Sequence, residues 1–242
     1  MRRLLVESIE GEALVLHGEQ HHRAVRVLRM ARGDRLRVFD GRGHEYEAVV
    51  EAAGRDQVTL RVERELRPAP EPGVRIVLFQ SIPRGDAMER VVQKGVEIGV
   101  AEVVPLITRR TVARPARGEG MKLARWRKIA LHAVEQSGRA WLVPVGEPMP
   151  TERMVERLSS FDLALMPHHG AVAPLRAALE ALRKPRSAAV IIGPEGGFAP
   201  EEVEHLAAAG ARPVSLGQRV LRSETAGLVA AALVLYHFGD MG

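Results

Sequence analysis

IIGPEGGF, residues 191–198, decides how this chain is read. An apolar run at 188–192 stops at a glycine, a proline and a glutamate, and residues 200–209 then take up helical spacing. Buried strands of parallel sheets read as short continuous apolar runs, so the stretch predicts a strand, a tight turn and a helix. Ligands of open parallel sheets sit outside the carboxyl ends of the strands, where this turn falls. Gly193, Gly196 and Gly197 let main-chain groups approach a flat ligand, and Pro194 stiffens the loop. A ligand-free βα turn would use the same glycines. The spacing matches neither G-x-x-x-x-G-K-[ST] nor G-x-G-x-x-G, and Glu195 disfavours a polyphosphate, so a zwitterionic or cationic ligand suits the loop better.

Working outward, the same alternation recurs. Strands are expected at 74–79, 102–107, 141–145, 162–166, 188–192 and 212–216, and helices at 86–98, 122–137, 151–159, 174–183, 200–209 and 223–238. Six β-then-α units predict an α/β domain with a largely parallel sheet covered by helices. Asp86, Thr151 and Ser223 are expected to cap helix starts, Pro200 fits a first helical position, and Gly210 suits a helix exit. The last helix, around TAGLVAAALVLYHF, is apolar on most of its circumference, which points to burial in the core or in a subunit interface.

Before residue 67 the period changes. RLRVF (35–39), EYEAVV (45–50) and VTLRVE (58–63) alternate and are separated by glycine-containing turns, so a small barrel or sheet is expected. GEQHHRAVRVLRM (18–30) interrupts them with a possible helix. RPAPEPG (67–73) reads as a linker, giving domains at 1–67 and 74–242 with the linker at 68–73.

The 242 residues contain 46% hydrophobic side chains, too many for a disordered chain, and no cysteine, which excludes disulfides and thiolate chemistry. A formal charge of +5 permits a polyanionic partner without proving one. MRRLLVESIEGE is neither a secretory leader nor a membrane span, so a cytoplasmic location is expected. His21–His22 and His168–His169 lack the carboxylates or cysteines that would complete a metal site, and none is expected.

A second motif follows the last strand. In SLGQRVLRSETAG (215–227), Gly217 turns the chain while Arg219 and Arg222 bring positive charge to the same end of the sheet. Arg222 either pairs with Glu224 in a surface ion pair or stabilises negative charge developing on a base. Lys94 with Glu97, and His132, Glu135, Gln136 and Arg139, sit near other strand or helix ends and are equally readable as solvated faces.

IGPEGGF (192–198) followed by LGQRVLRSETA (216–226) resembles the signature of the ribosomal small-subunit RNA methyltransferase E family, a uridine-N3-specific branch of the SPOUT superfamily. QKGVEIGV (93–100), RRTVAR (109–114), RWRKIALHAVEQSGR (125–139) and HHRAVRVLRMARGDRLRVFDGRG (21–43) match its pattern too, so the resemblance covers nearly the whole chain. Val220, where isoleucine is common, and Gly95 are minor departures. The resemblance implies a PUA-like RNA-binding β-barrel, a SPOUT domain with a deep trefoil knot, a homodimer packed through that domain, and bound S-adenosylmethionine. It implies methylation of uridine N3 in 16S ribosomal RNA, with the small ribosomal subunit as partner. Carried onto this sequence, the cofactor would lie against Leu165, Met166, Pro167 and His168, against Ile192, Gly193, Pro194, Glu195, Gly196 and Gly197, and against Ser215, Leu216, Gly217, Val220, Leu221, Arg222 and Thr225. Arg222 and Glu224 would serve the chemistry, and Arg23, Arg26, Arg29, Arg32, Arg35, Arg109, Arg110 and Arg114 would contact RNA. A methyltransferase acting on another nucleotide, and a non-catalytic RNA-binding or ribosome-assembly protein, are the competing readings.

Overall fold

The computed structural model describes residues 2–9, 11–111 and 119–242. It divides into a unit of Met1–Glu71 with Val134–Leu142, and a unit of Pro72–Ala133 with Val143–Gly242.

The first unit is a five-stranded sheet in the order β1-β3-β4-β5-β2. Its strands are β1 (Arg3–Leu5), β2 (Ala13–Leu16), β3 (Arg35–Phe39), β4 (Glu45–Ala53) and β5 (Val58–Leu66). The two short strands were not expected from the sequence. Three or four residues are too few to establish alternation, although Leu4, Leu14 and Leu16 reach the core. Between β2 and β3, α1 (Gly18–His22) runs into a π-helical turn, Arg23–Val27. That segment closes with Met30 N–H donating to Ala24 O at 3.0 Å, a bond back across six residues, with Arg29 in the left-handed region at φ 52°. The core is Leu4, Leu14, Leu16, Ala24, Leu36, Val38, Val50 and Leu60 with their neighbours.

One buried arginine fastens residues 134–142 to this unit. Arg3 Nε donates to Glu45 at 2.8 Å, and its terminal nitrogens donate to the carbonyls of Val134, Glu135 and Arg139 at 3.0–3.2 Å. Its guanidinium also lies 4.7 Å from the Phe39 ring centroid. A cation on the last carbonyls of a helix satisfies acceptors that have no partner within it.

The second unit is built on β6 (Arg75–Ser81), β7 (Glu102–Ile107), β8 (Met149–Pro150), β9 (Leu163–Pro167), β10 (Ser187–Ile192) and β11 (Arg212–Val214). They lie in the order β11-β9-β10-β6-β7-β8, and every pairing is parallel. The helices are α2 (Ala87–Ile98), α3 (Glu119–Ser137), α4 (Thr151–Leu158), α5 (Leu175–Glu180), α6 (Pro200–Ala208) and α7 (Ser223–His237). Phe79, Leu106, Met154, Leu158, Met166, Ile191 and Leu206 fill one core layer, drawn from the strands and from α4 and α6. α2 and α7 pack on each other, and α7 also covers β6 and β10.

The strand expected at 141–145 is not one: Trp141 and Val145 make isolated bridges, and the edge strand is Met149–Pro150. Pro144 removes a ladder donor from the middle of the expected run. The expected caps also do other work. Asp86 makes no side-chain cap bond, and Thr151 Oγ donates to Ile107 O at 3.3 Å. Pro200 occupies the first position of α6, whose start is held by buried Glu202 accepting the N–H groups of Ala199 and Arg109 at 2.9 and 3.0 Å.

Candidate functional site

Because the sheet is all-parallel, the loops after β6, β9, β10 and β11 emerge at one edge. They enclose a cleft of about 530 Å³ lined by Arg84, Ala87, Arg90, Pro167, His168, His169, Ile192, Gly193, Pro194, Glu195, Gly197, Phe198, Val220, Leu221, Arg222, Ser223, Glu224 and Ala226. A smaller recess of about 120 Å³ shares Pro167, His168, Val220 and Leu221 and adds Ser215, Leu216, Gly217, Gln218 and Arg219.

The glycines have steric reasons. A Cβ at Gly193 would meet the Phe198 ring at 3.0 Å, while Gly197 and Gly217 hold φ of +67° and +114°, which side chains resist. Pro194 O accepts the Gly197 N–H at 2.8 Å and closes the turn. Glu195 accepts the main-chain N–H of Arg84 at 2.8 Å, so its carboxylate ties the loop after β10 to the loop after β6.

Beneath the cleft runs a buried relay. Gln80, at 0% exposure, donates from its amide to Ser223 Oγ at 2.8 Å and to Ser81 O at 3.1 Å, and Ser223 donates in turn to Gly193 O at 2.8 Å. Ser223 therefore does not cap α7, for which Arg222 is the N-cap residue. It joins the central strand, the glycine loop and the start of α7 into one hydrogen-bonded chain. Among the described residues Gln80 Oε1 has no hydrogen-bond partner, and a Cβ at Gly227 would lie 3.0 Å from it.

His168 Nδ1 accepts the Gly170 N–H at 3.1 Å, and its ring stands 4.9 Å from that of His169. Burial, reinforced by the neighbouring His169, pulls the His168 pKa below its ordinary 6.5. A neutral imidazole beside the glycine loop suits a ligand that carries its own positive charge. Among the described residues, no group of three or more His, Asp or Glu side chains is arranged to hold a metal ion.

The expected site residues separate into groups. Pro167, His168, Ile192, Gly193, Pro194, Glu195, Gly197, Ser215, Leu216, Gly217, Val220, Leu221, Arg222 and Glu224 converge on the two connected spaces. Leu165 and Met166 are fully buried and line neither space, Gly196 O accepts from Arg110 at 2.8 Å, and Thr225 faces solvent. Arg222 is 85% exposed, with its guanidinium 4.0 Å from the Glu224 carboxylate. In the first unit Arg23 is paired with Glu135 and Arg35 with Glu63, whereas Arg26, Arg29 and Arg32 are exposed. Arg109 pairs with Glu201 at 3.5 Å, and Arg114 lies outside the described residues. Arg84, Arg90, His169, Phe198, Gln80 and the relay hydroxyl of Ser223 are site residues that the sequence did not single out. The available signal was position, since Arg84 follows the central strand β6 as the glycine loop follows β10.

The fold and the cleft define the class, a SPOUT-type RNA methyltransferase with a PUA-like domain. Residues 70–235 match the family of RNA methyltransferase domains, and residues 18–63 match RNA methyltransferase PUA domains. The chain is 35% identical to ribosomal RNA small subunit methyltransferase E of Synechocystis over 96% of its own length and 76% of the relative's. It is 34% identical to the Mycobacterium tuberculosis protein of that description, over 93% and 86% of the two chains. Among solved structures, ribosomal RNA small subunit methyltransferase E of Neisseria gonorrhoeae bound to S-adenosyl methionine superposes with a TM-score of 0.85, at 29% identity and 96% coverage of both chains. A Legionella pneumophila protein described as a methyltransferase in complex with SAM gives 0.86, at 34% identity over 96% and 95%. The chain belongs to the ribosomal RNA small subunit methyltransferase E family.

Proposed function

We propose that the protein binds S-adenosylmethionine in the cleft and methylates N3 of a uridine in 16S ribosomal RNA. The observation that carries this reading is the convergence of the glycine loop, His168 and the 215–222 segment on one cleft, with Arg222 and Glu224 at its edge. The cofactor supplies a methyl group already activated on a sulfonium. The residues fit it: positive-φ glycines for close main-chain approach, a histidine biased toward neutrality, and a loop carboxylate compatible with a cation.

A uracil N3–H becomes nucleophilic only as its proton leaves, and negative charge then spreads onto the flanking carbonyl oxygens. Arg222 and the exposed N–H groups at the start of α7 stabilise that charge. Glu224 orients Arg222 or accepts the proton. N3 lies on the pairing edge, so the base enters unpaired or extracted. Arg26, Arg29 and Arg32 are exposed and free of ion pairs among the described residues, which supports phosphate contact there.

The division of labour between an RNA-binding first unit and a catalytic second unit, a homodimer and a cytoplasmic location belong to the same reading. The half-exposed Leu233 and exposed Tyr236 on α7 favour a subunit contact. No helix among the described residues is long and apolar enough to cross a membrane. The trefoil knot is part of it as well, supported by the return of the chain from edge strand β11 to α7 against the central strands.

The test is labelled-methyl transfer to unmodified small ribosomal subunits and to naked small-subunit RNA, with nucleoside analysis of the product. N3-methyluridine establishes the reaction. Cofactor binding without transfer refutes the substrate, and absence of both in folded protein favours a non-catalytic RNA-binding role.

A further inference from the structure

We propose that Arg84 and Arg90 form an anion site on the lip of the cleft that grips a backbone phosphate of the RNA beside the base being methylated. The proposal rests on the RNA methyltransferase reading above and adds a substrate-binding element to it.

Both arginines line the larger cleft, together with Arg222, and both are exposed. Among the described residues neither guanidinium is ion-paired. The nearby carboxylates are otherwise engaged. Glu89, next to Arg90 in the chain, pairs with Arg125 at 2.8 Å, and Glu195 is turned onto the main-chain N–H of Arg84. Glu224 stands 4.0 Å from Arg222. Asp86, which lies between the two arginines in sequence, makes no side-chain bond to α2 and does not line the cleft. Arginines held at a cleft without carboxylate partners provide planar, permanently charged forks matched to phosphate oxygens.

The two connected spaces differ in their cations. The smaller recess is walled by the 167–169 and 215–221 segments and lacks Arg84, Arg90 and Arg222. The arginines belong only to the wider space, on the side of Glu224. Glu195 anchors the Arg84 main chain to the glycine loop, so the cation is positioned relative to the cleft rather than free on a surface loop. Enzymes that extract a base must hold the backbone while the base is out of its stack, and phosphate contacts provide that register.

The experiment uses the full chain and the variants Arg84→Gln, Arg90→Gln and the double replacement, with Arg84→Lys and Arg90→Lys as charge-retaining partners. Arg176→Gln, on α5 and paired with Glu180, serves as the control for loss of one surface charge. S-adenosylmethionine affinity is measured by calorimetry, and affinity for unmodified small-subunit RNA is measured across a salt series. Each glutamine variant is expected to bind RNA about ten-fold more weakly. The slope of log affinity against log salt is expected to fall by about 0.7 per arginine, with the lysine variants keeping the slope. Cofactor affinity is expected to equal that of the parent. RNA affinity and slope equal to the parent's in folded double variant overturn the site, as does a loss of cofactor affinity matching the loss of RNA affinity, which would assign the anion to the cofactor. A parent protein that neither binds nor methylates this RNA overturns the functional reading itself, and the site falls with it.

Discussion

Replacing Ser223 by alanine tests whether the buried relay holds the glycine loop. The hydroxyl accepts from Gln80 and donates to Gly193, each at 2.8 Å, and is itself only 7% exposed. Its removal strands one amide N–H of Gln80 inside the protein, next to an Oε1 that already has no partner among the described residues. An unsatisfied buried donor costs about 1–3 kcal/mol. The Gly193 carbonyl borders the cleft, where water replaces the lost donor, so its share is small. Alanine in the first turn of α7 returns up to about 0.5 kcal/mol in helix propensity. The expected net loss is therefore about 1–2.5 kcal/mol, read as a fall in the urea midpoint at unchanged slope. Cofactor affinity should fall several-fold, because the loop loses its tie to β6. Combining Ser223→Ala with Gln80→Met removes both partners, and the pair should be less destabilised than the sum of the single changes. A single variant within about 0.5 kcal/mol of the parent, or strict additivity in the double, would refute the relay.

Three further outcomes are expected. Arg29→Gly should raise stability by about 1 kcal/mol, because a side chain at φ 52° strains the backbone, while weakening RNA binding through loss of an exposed cation; thermal melts and RNA titration read the two effects separately, and a less stable variant would contradict the strain. The folded-state pKa of His168 lies below its unfolded value, so its contribution to stability is present above about pH 6.5 and is lost as pH falls through the lower folded value; S-adenosylmethionine affinity should follow the same course, since protonation sets a cation beside the sulfonium, and His168→Asn should flatten calorimetric titrations across that range. Asp240 accepts the Val74 N–H at 2.8 Å and pairs with Lys184; although burial opposes ionisation, these hydrogen bonds depress its pKa, so Asp240→Asn should destabilise at pH 7 and converge with the parent as pH drops below the carboxylate's folded value, as followed by denaturant midpoints.

Much of this architecture was legible because both periods are strongly written. The spacing of apolar residues placed α2, α4, α6 and α7 within a residue of their observed ends, and the apolar runs placed β7, β9 and β10 as closely and β6 within two residues. The misread stretch at 141–145 has buried Val143 and Val145, so hydrophobicity was a true signal of burial and a false one of strand. The site was legible where glycines and a charged loop sit at strand ends. It was not legible at Gln80 and Ser223, because both look like ordinary polar residues until the fold brings together positions 143 residues apart in sequence. Nor could spacing show that Arg23 spends its charge on Glu135 while Arg84 and Arg90 keep theirs.

The fastening of residues 134–142 to the N-terminal sheet bears on how the chain is made. The strands of the first unit leave the ribosome early, but Arg3 finds the carbonyls of Val134, Glu135 and Arg139 only after most of α3 has been translated. Until then Arg3 has Glu45 and the Phe39 ring but not the helix end that completes its surroundings. The unit begun first is thus finished late, and a nascent or truncated chain cut at the proline-rich linker carries a sheet whose buried cation lacks most of its acceptors.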